Sequence, residues 1–129
     1  MIYNLIEYLK TNLPALNFVI NGFNKDSPSS CIVVKDTGGE EAHNYNRGDH
    51  TVQVLSRAHN NDNAKYNIEQ VYSLLKNVFN LLLPSVMVNS RLYAAVQTYQ
   101  ISPIQKPQYL GVDNKNLELY DFNLIIVTD

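Results

Sequence analysis

Leu117-Glu118-Leu119-Tyr120-Asp121-Phe122-Asn123-Leu124-Ile125-Ile126-Val127 is the stretch on which the fold turns. Tyr120, Phe122, Leu124 and Ile126 recur at every second position and line one face of a strand. Leu119, Ile125 and Val127 line the other face, so one packed layer leaves apolar surface behind. Upstream, Val86 to Val88, a turn at Asn89-Ser90, and Leu92 to Ile101 read as a hairpin. Pro103 and Pro107 flank an exposed loop from Gln105 to Lys115.

The first half supplies the layer that covers this sheet. Ile2, Leu5, Ile6, Leu9 and Leu13 follow the i, i+3, i+4, i+7 spacing of a helical face, with Asn4, Glu7, Lys10 and Thr11 elsewhere on the wheel. Pro14 stops that helix. Short strands follow at Leu16 to Asn21 and at Ser30 to Lys35, separated by the turn residues Lys25-Asp26-Ser27-Pro28. Thr37 to Gly48 reads as a long exposed loop, and Thr51 to Arg57 alternates as a third strand. Asn60-Asn61-Asp62-Asn63 offers helix N-caps before a second stripe, Ala64, Ile68, Val71, Tyr72, Leu75 and Phe79, closed by Pro84.

The predicted order is α-β-β-β-α-β-β-β: a single α+β domain over residues 1–129, mostly antiparallel β-sheet with two helices packed on one face. At 129 residues such a domain buries a normal core. Uncovered apolar surface on the reverse of the sheet favours an oligomer.

Composition narrows the function. Apolar residues make up 45% and charged residues 17%, as in ordinary globular proteins. Net charge is −2 and the ten basic residues are scattered, which argues against duplex DNA binding. The single cysteine, Cys31, precludes an internal disulfide and suits a reducing compartment. Met1 to Lys10 lacks the pattern of an export signal, and no apolar run approaches a membrane span. Nine Tyr, four Phe and no Trp favour rings half-buried against another subunit, with Tyr45 and Tyr109 placed in loops for that use.

Chemistry-bearing residues are present but not in productive patterns. His43, Asp49, His50, His59 and Asp62 match no zinc spacing, and they read as solvated loop and strand-edge residues with no metal or cofactor. Ser56, His50 and Asp49 are triad residue types without a nucleophile elbow, and consecutive strand residues face opposite ways. Cys31 sits in an apolar strand and reads as an inert buried thiol. Arg47-Gly48-Asp49 spells an adhesion tripeptide but reads as a turn into a strand. Gly38-Gly39 lacks the lysine and helix of a phosphate loop.

Two longer segments carry a resemblance: Tyr45-Asn46-Arg47-Gly48-Asp49-His50-Thr51-Val52-Gln53-Val54-Leu55-Ser56-Arg57, and Ile101-Ser102-Pro103-Ile104-Gln105-Lys106-Pro107-Gln108-Tyr109-Leu110-Gly111. With the closing Tyr120-Asp121-Phe122-Asn123, they resemble the bacteriophage minor capsid proteins of siphophages and prophages of Gram-positive bacteria, a group related to tail-terminator and tail-completion proteins. The resemblance implies a non-enzymatic virion protein, assembled in the host cytoplasm. It would form a ring, usually hexameric, that caps the tail tube at the head connector or stopper protein. DNA would only pass through the lumen, and no membrane would be involved. A head-completion protein of the same neck is the alternative within that group. From other classes come a small metal-dependent hydrolase and a monomeric adaptor that binds a peptide by strand addition. The residues expected to contact neighbouring subunits or the tube lie in the two loops: Glu40, Glu41, Tyr45, Arg47, Gln105, Lys106 and Tyr109. Glu40 and Glu41 are expected to face the lumen, where negative charge keeps DNA from sticking.

Overall fold

The computed structural model describes residues 1–23, 26–41 and 48–128. The first helix, α1 (Ile2–Asn12), buries Ile2, Leu5, Ile6 and Leu9, as the apolar spacing requires, and ends where Leu13 leaves helical geometry ahead of Pro14. Asn4 departs from the expectation: it lies on the flank of the stripe, yet it is buried. The strands β1 (Phe18–Ile20), β2 (Cys31–Glu41) and β3 (Gly48–Ala58) follow. The second helix, α2 (Asn61–Leu75), is capped by Asn60, whose Oδ1 accepts from the Asp62 N–H at 2.8 Å.

The last third holds β4 (Val78–Phe79), β5 (Leu82–Leu83), β6 (Val86–Val88), β7 (Arg91–Tyr93), β8 (Val96–Pro103), β9 (Gln108–Val112) and β10 (Glu118–Thr128). The main sheet runs β1-β2-β3-β10-β8-β4, with β5 also on β8 and β9 also on β10; β6 and β7 form a separate pair. The stretch that decides the fold, β10, is therefore central, flanked by β3 on one side and by β8 and β9 on the other. Its register with β3 is unbroken from Glu118↔Ala58 to Thr128↔Gly48. Tyr120, Phe122, Leu124 and Ile126 are buried, and they share one cluster with Ile32, Val34, Val52 and Val54 from the sheet and with the buried residues of both helices. At roughly 1.5–3 kcal/mol per buried large apolar side chain, this cluster supplies most of the driving force for folding. On the reverse face Leu119, Ile125 and Val127 are only partly buried.

Several expectations need correction. The second helix stops at Leu75 and not at Phe79, because Lys76 is extended and Asn77 adopts a left-handed φ of 55°, a conformation that asparagine tolerates. Phe79 lies in β4 and is 62% exposed. The expected hairpin arm Leu92 to Ile101 is two elements: β7 pairs with β6, and β8 belongs to the main sheet. Of the expected loop Thr37 to Gly48, residues 37–41 and Gly48 are strand, since β2 and β3 pair out to Glu41↔Gly48, and residues 42–47 lie outside the described residues. The expected loop Gln105 to Lys115 contains β9, paired with β10. Finally, β1 and β2 pair in parallel, where an antiparallel sheet was expected.

Candidate interaction surface

The reverse face of the sheet is organised around two buried charges. Asp121, 4% exposed, accepts from the side-chain amides of Gln53 (2.8 Å) and Gln108 (3.0 Å), which tie β3 and β9 to the central strand. Arg57, also 4% exposed, donates to the Pro28 carbonyl at 2.8 Å and lies 4.0 Å over the Phe23 ring. Its other terminal nitrogen is 3.9 Å from Asp113 in the β9–β10 turn. One cation thus ties Phe23, Ser27 and Pro28 and that turn to the sheet. Burial alone would raise the Asp113 pKa, but it is outweighed by the Leu117 and Lys115 N–H donors and the Arg57 charge, so the carboxyl lies below its ordinary range. Cys31, the cross-strand partner of Arg57, is buried, and its thiol is pushed up by that burial more than the nearby guanidinium lowers it.

Of the residues predicted for contact, Tyr45 and Arg47 lie outside the described residues, as does His43 among the predicted metal candidates. Glu40 and Glu41 belong to β2, where they pair with Asp49 and Gly48 across the hairpin. Lys106 is exposed and Gln105 half-buried in the link between β8 and β9. Tyr109 lies in β9, not in a loop. Its ring packs on Tyr120 at 5.2 Å, and its hydroxyl donates to Glu118 at 2.6 Å. That bond to a carboxylate raises the phenol pKa, with smaller contributions from burial and charge. Tyr109, Leu110 and Val112 are all about half exposed on β9, so this strand presents apolar surface beside Lys106.

The triad residue types have ordinary structural roles. Ser56 is fully buried and donates to the Ala64 carbonyl at 2.9 Å, tying α2 to β3. His50 pairs with the Thr128 hydroxyl at 3.1 Å. Among the described residues no group of three His, Cys, Asp or Glu side chains is placed to hold a metal ion.

Two surface features were not among the predicted contacts: the apolar tip of the hairpin whose turn at Asn89-Ser90 the sequence did predict, and a groove between the helices. The β6–β7 hairpin turns through Asn89 and Ser90, both with positive φ (50° and 64°), the pattern of a tight type I′ turn. Its cross-strand partners Met87 and Leu92 are 61% and 67% exposed, so the hairpin carries an apolar knob beside the exposed Arg91. Its base is fixed to α1, where the Asn4 amide donates to the carbonyls of Pro84, Tyr93 and Ala94 and Tyr3 packs on Tyr93 at 4.7 Å. The second feature is a shallow groove between the end of α1 and α2, lined by Leu13, Tyr66, Glu69, Gln70, Ser73 and Leu74. The even alternation Val86, Met87, Val88 was the available signal for the knob, since one of the two faces had to point away from the core.

Comparison with known families gives a match over most of the chain. The model of a family described as "Bacteriophage tail terminator protein" aligns with residues 13–129. No curated protein matches the chain.

Proposed function

The chain belongs to the bacteriophage tail terminator protein family, and from that premise we propose that it ends the tail tube at the head–tail junction as a ring of identical subunits, a hexamer by analogy with related proteins. As a phage tail protein it is a structural virion component. The observation that carries the ring reading is the division of the surface. Apolar side chains stand exposed at several separate places (Tyr66 on α2, Met87 and Leu92 on the hairpin, Tyr109 and Leu110 on β9), while the reverse face of the sheet stays partly open. Different patches on one chain suit the heterologous contacts from which rings close.

In this reading the partners are neighbouring copies, the tail tube protein below and the connector or stopper protein above. Gln105, Lys106 and Tyr109 supply contacts from the β8–β9 region, and Tyr45 and Arg47 supply further contacts. Glu40 and Glu41 face the lumen and keep passing DNA from adhering. The contacts are mechanical, with no catalytic step and no cofactor.

Deleting the gene from the phage tests this. Electron microscopy of the lysate should show filled heads without tails beside tail tubes of uncontrolled length, and the intact gene in trans should restore joined particles. Normal tails on heads would sink the proposal. Glu40→Lys with Glu41→Lys should slow DNA ejection while sparing assembly; unchanged ejection would remove the lumen assignment.

A further inference from the structure

We propose that the β6–β7 hairpin of one subunit seats in the α1–α2 groove of the next, so that knob and groove together form the ring's repeating contact. This rests on the ring reading above and names the surfaces that make it. The knob is built to stay in place. An isolated two-stranded hairpin is marginal in water. Here the buried Asn4 side chain donates to carbonyls on both sides of its base, at 2.9 Å to Pro84 and 2.9 Å to Ala94, and Tyr3 packs at a tilt on Tyr93. A hairpin so anchored presents Met87 and Leu92 outward at little further entropic cost, and preordered apolar side chains make effective contacts. Methionine in particular adapts to irregular grooves.

The groove complements the knob in two respects. Leu13, Leu74 and the ring of Tyr66, which is 65% exposed, give it an apolar floor. Its one charged lining residue is the exposed Glu69, while the hairpin carries the exposed Arg91 next to Leu92. Neither charge has an ion-pair partner among the described residues. Tyrosine and arginine are also the residues that most often dominate protein interfaces.

Knob and groove cannot meet within one chain. The hairpin is fixed at Asn4, near the start of α1, and the groove opens at Leu13, at its end, roughly 13 Å further along the helix axis. A surface and its complement held apart on one rigid body generate a head-to-tail contact that closes when the rotation allows. The partner is therefore a second copy of this chain.

The test uses the full chain added to tails purified from phage that lack its gene, with binding followed by co-sedimentation and electron microscopy. Leu92→Asp, Arg91→Glu and Glu69→Arg lie at exposed positions, and each should melt like the wild type while binding at least about tenfold more weakly. Combining Arg91→Glu with Glu69→Arg should restore binding, and Leu92→Cys with Ser73→Cys should give an oxidisable ladder of whole-number multiples of this chain. If the wild type itself fails to bind tails, both the ring reading and this inference fall. If the wild type binds and all three single variants match it, only the knob and groove are wrong. If single variants weaken binding but the exchange does not rescue it, and the cysteines join the chain to the tube protein, the hairpin is a tube contact and the inference is overturned.

Discussion

The side-chain amide of Asn4 donates to the carbonyl of Ala94 at 2.9 Å across ninety positions of sequence, and the same nitrogen lies 2.9 Å from the Pro84 carbonyl. The first helix, α1, is thereby locked to a hairpin from the last third of the chain. The amide carries two hydrogens, which three nearby carbonyls share, and its own oxygen is buried without a partner. Asn4→Ala removes both donors from part-buried acceptors and should cost about 1–3 kcal/mol in chemical denaturation. Hydrogen exchange should rise first over Val86–Tyr93. Uniform loss of protection across the chain, with no early response in the hairpin, would show that Asn4 has no specific hold on it.

Arg57 is a second long-range tie, and its guanidinium is used in three directions: to the Pro28 carbonyl, to the Phe23 face and toward Asp113. Arg57→Lys keeps the charge but loses the planar stack and the fork, so it should not act as a conservative change. Arg57→Met should destabilise by roughly 2–3 kcal/mol, less than a fully buried ion pair, because Asp113 is partly open to solvent and the pair is long at 3.9 Å. Urea unfolding of the two variants measures this, and a lysine variant as stable as wild type would refute the stacking argument.

How far the sequence could be read depended on whether the signal was local. The period-two pattern of Leu117–Val127 located the central strand, and the cap at Asn60 located the start of α2. Local pattern also misled: the apolar stripe of α2 continues through Phe79 on paper, and the extended Lys76 and left-handed Asn77 interrupt it. The use of Asn4 and Arg57 was not legible, since each acts through residues tens of positions away and carries no local mark. Strand β9 was hidden by the preceding Pro107 and by Gly111, which suit an edge strand with a bulge as well as they suit a loop. The predicted contact residues were chosen from presumed loops, so the exposed hairpin pair Met87 and Leu92 was passed over.

Asp113 gives stability a dependence on acid pH. Its carboxylate accepts from the Lys115 N–H at 2.8 Å and the Leu117 N–H at 2.9 Å, and its folded pKa lies below the ordinary value. A depressed folded pKa means that the unfolded chain takes up the proton first. The contribution is fully present above the unfolded pKa, about 4, and is lost as pH falls through the folded one. Asp113→Asn should therefore be less stable than wild type at neutral pH, with the difference shrinking below about pH 4. Thermal melts of both proteins from pH 7 to pH 3 read this out, and a gap that widens on acidification would reverse the assignment.

Cys31 offers a probe of the sheet on the side that Arg57 organises. The thiol is 2% exposed, and burial raises its pKa, so both access and thiolate fraction are low in the folded protein. Alkylation at pH 8 should run roughly a thousandfold or more slower than for a free thiol, because reaction waits on opening of a domain with ordinary stability. Its position beside Arg57 makes the rate specific to that region. Arg57→Met releases Phe23 and Pro28 and should speed labelling by more than its effect on global unfolding alone, whereas Asn4→Ala, acting on the far hairpin, should speed it only in proportion to the loss of overall stability. Equal acceleration in the two variants, once scaled by their unfolding free energies, would mean that the sheet opens as one unit and that Arg57 holds no local element in place.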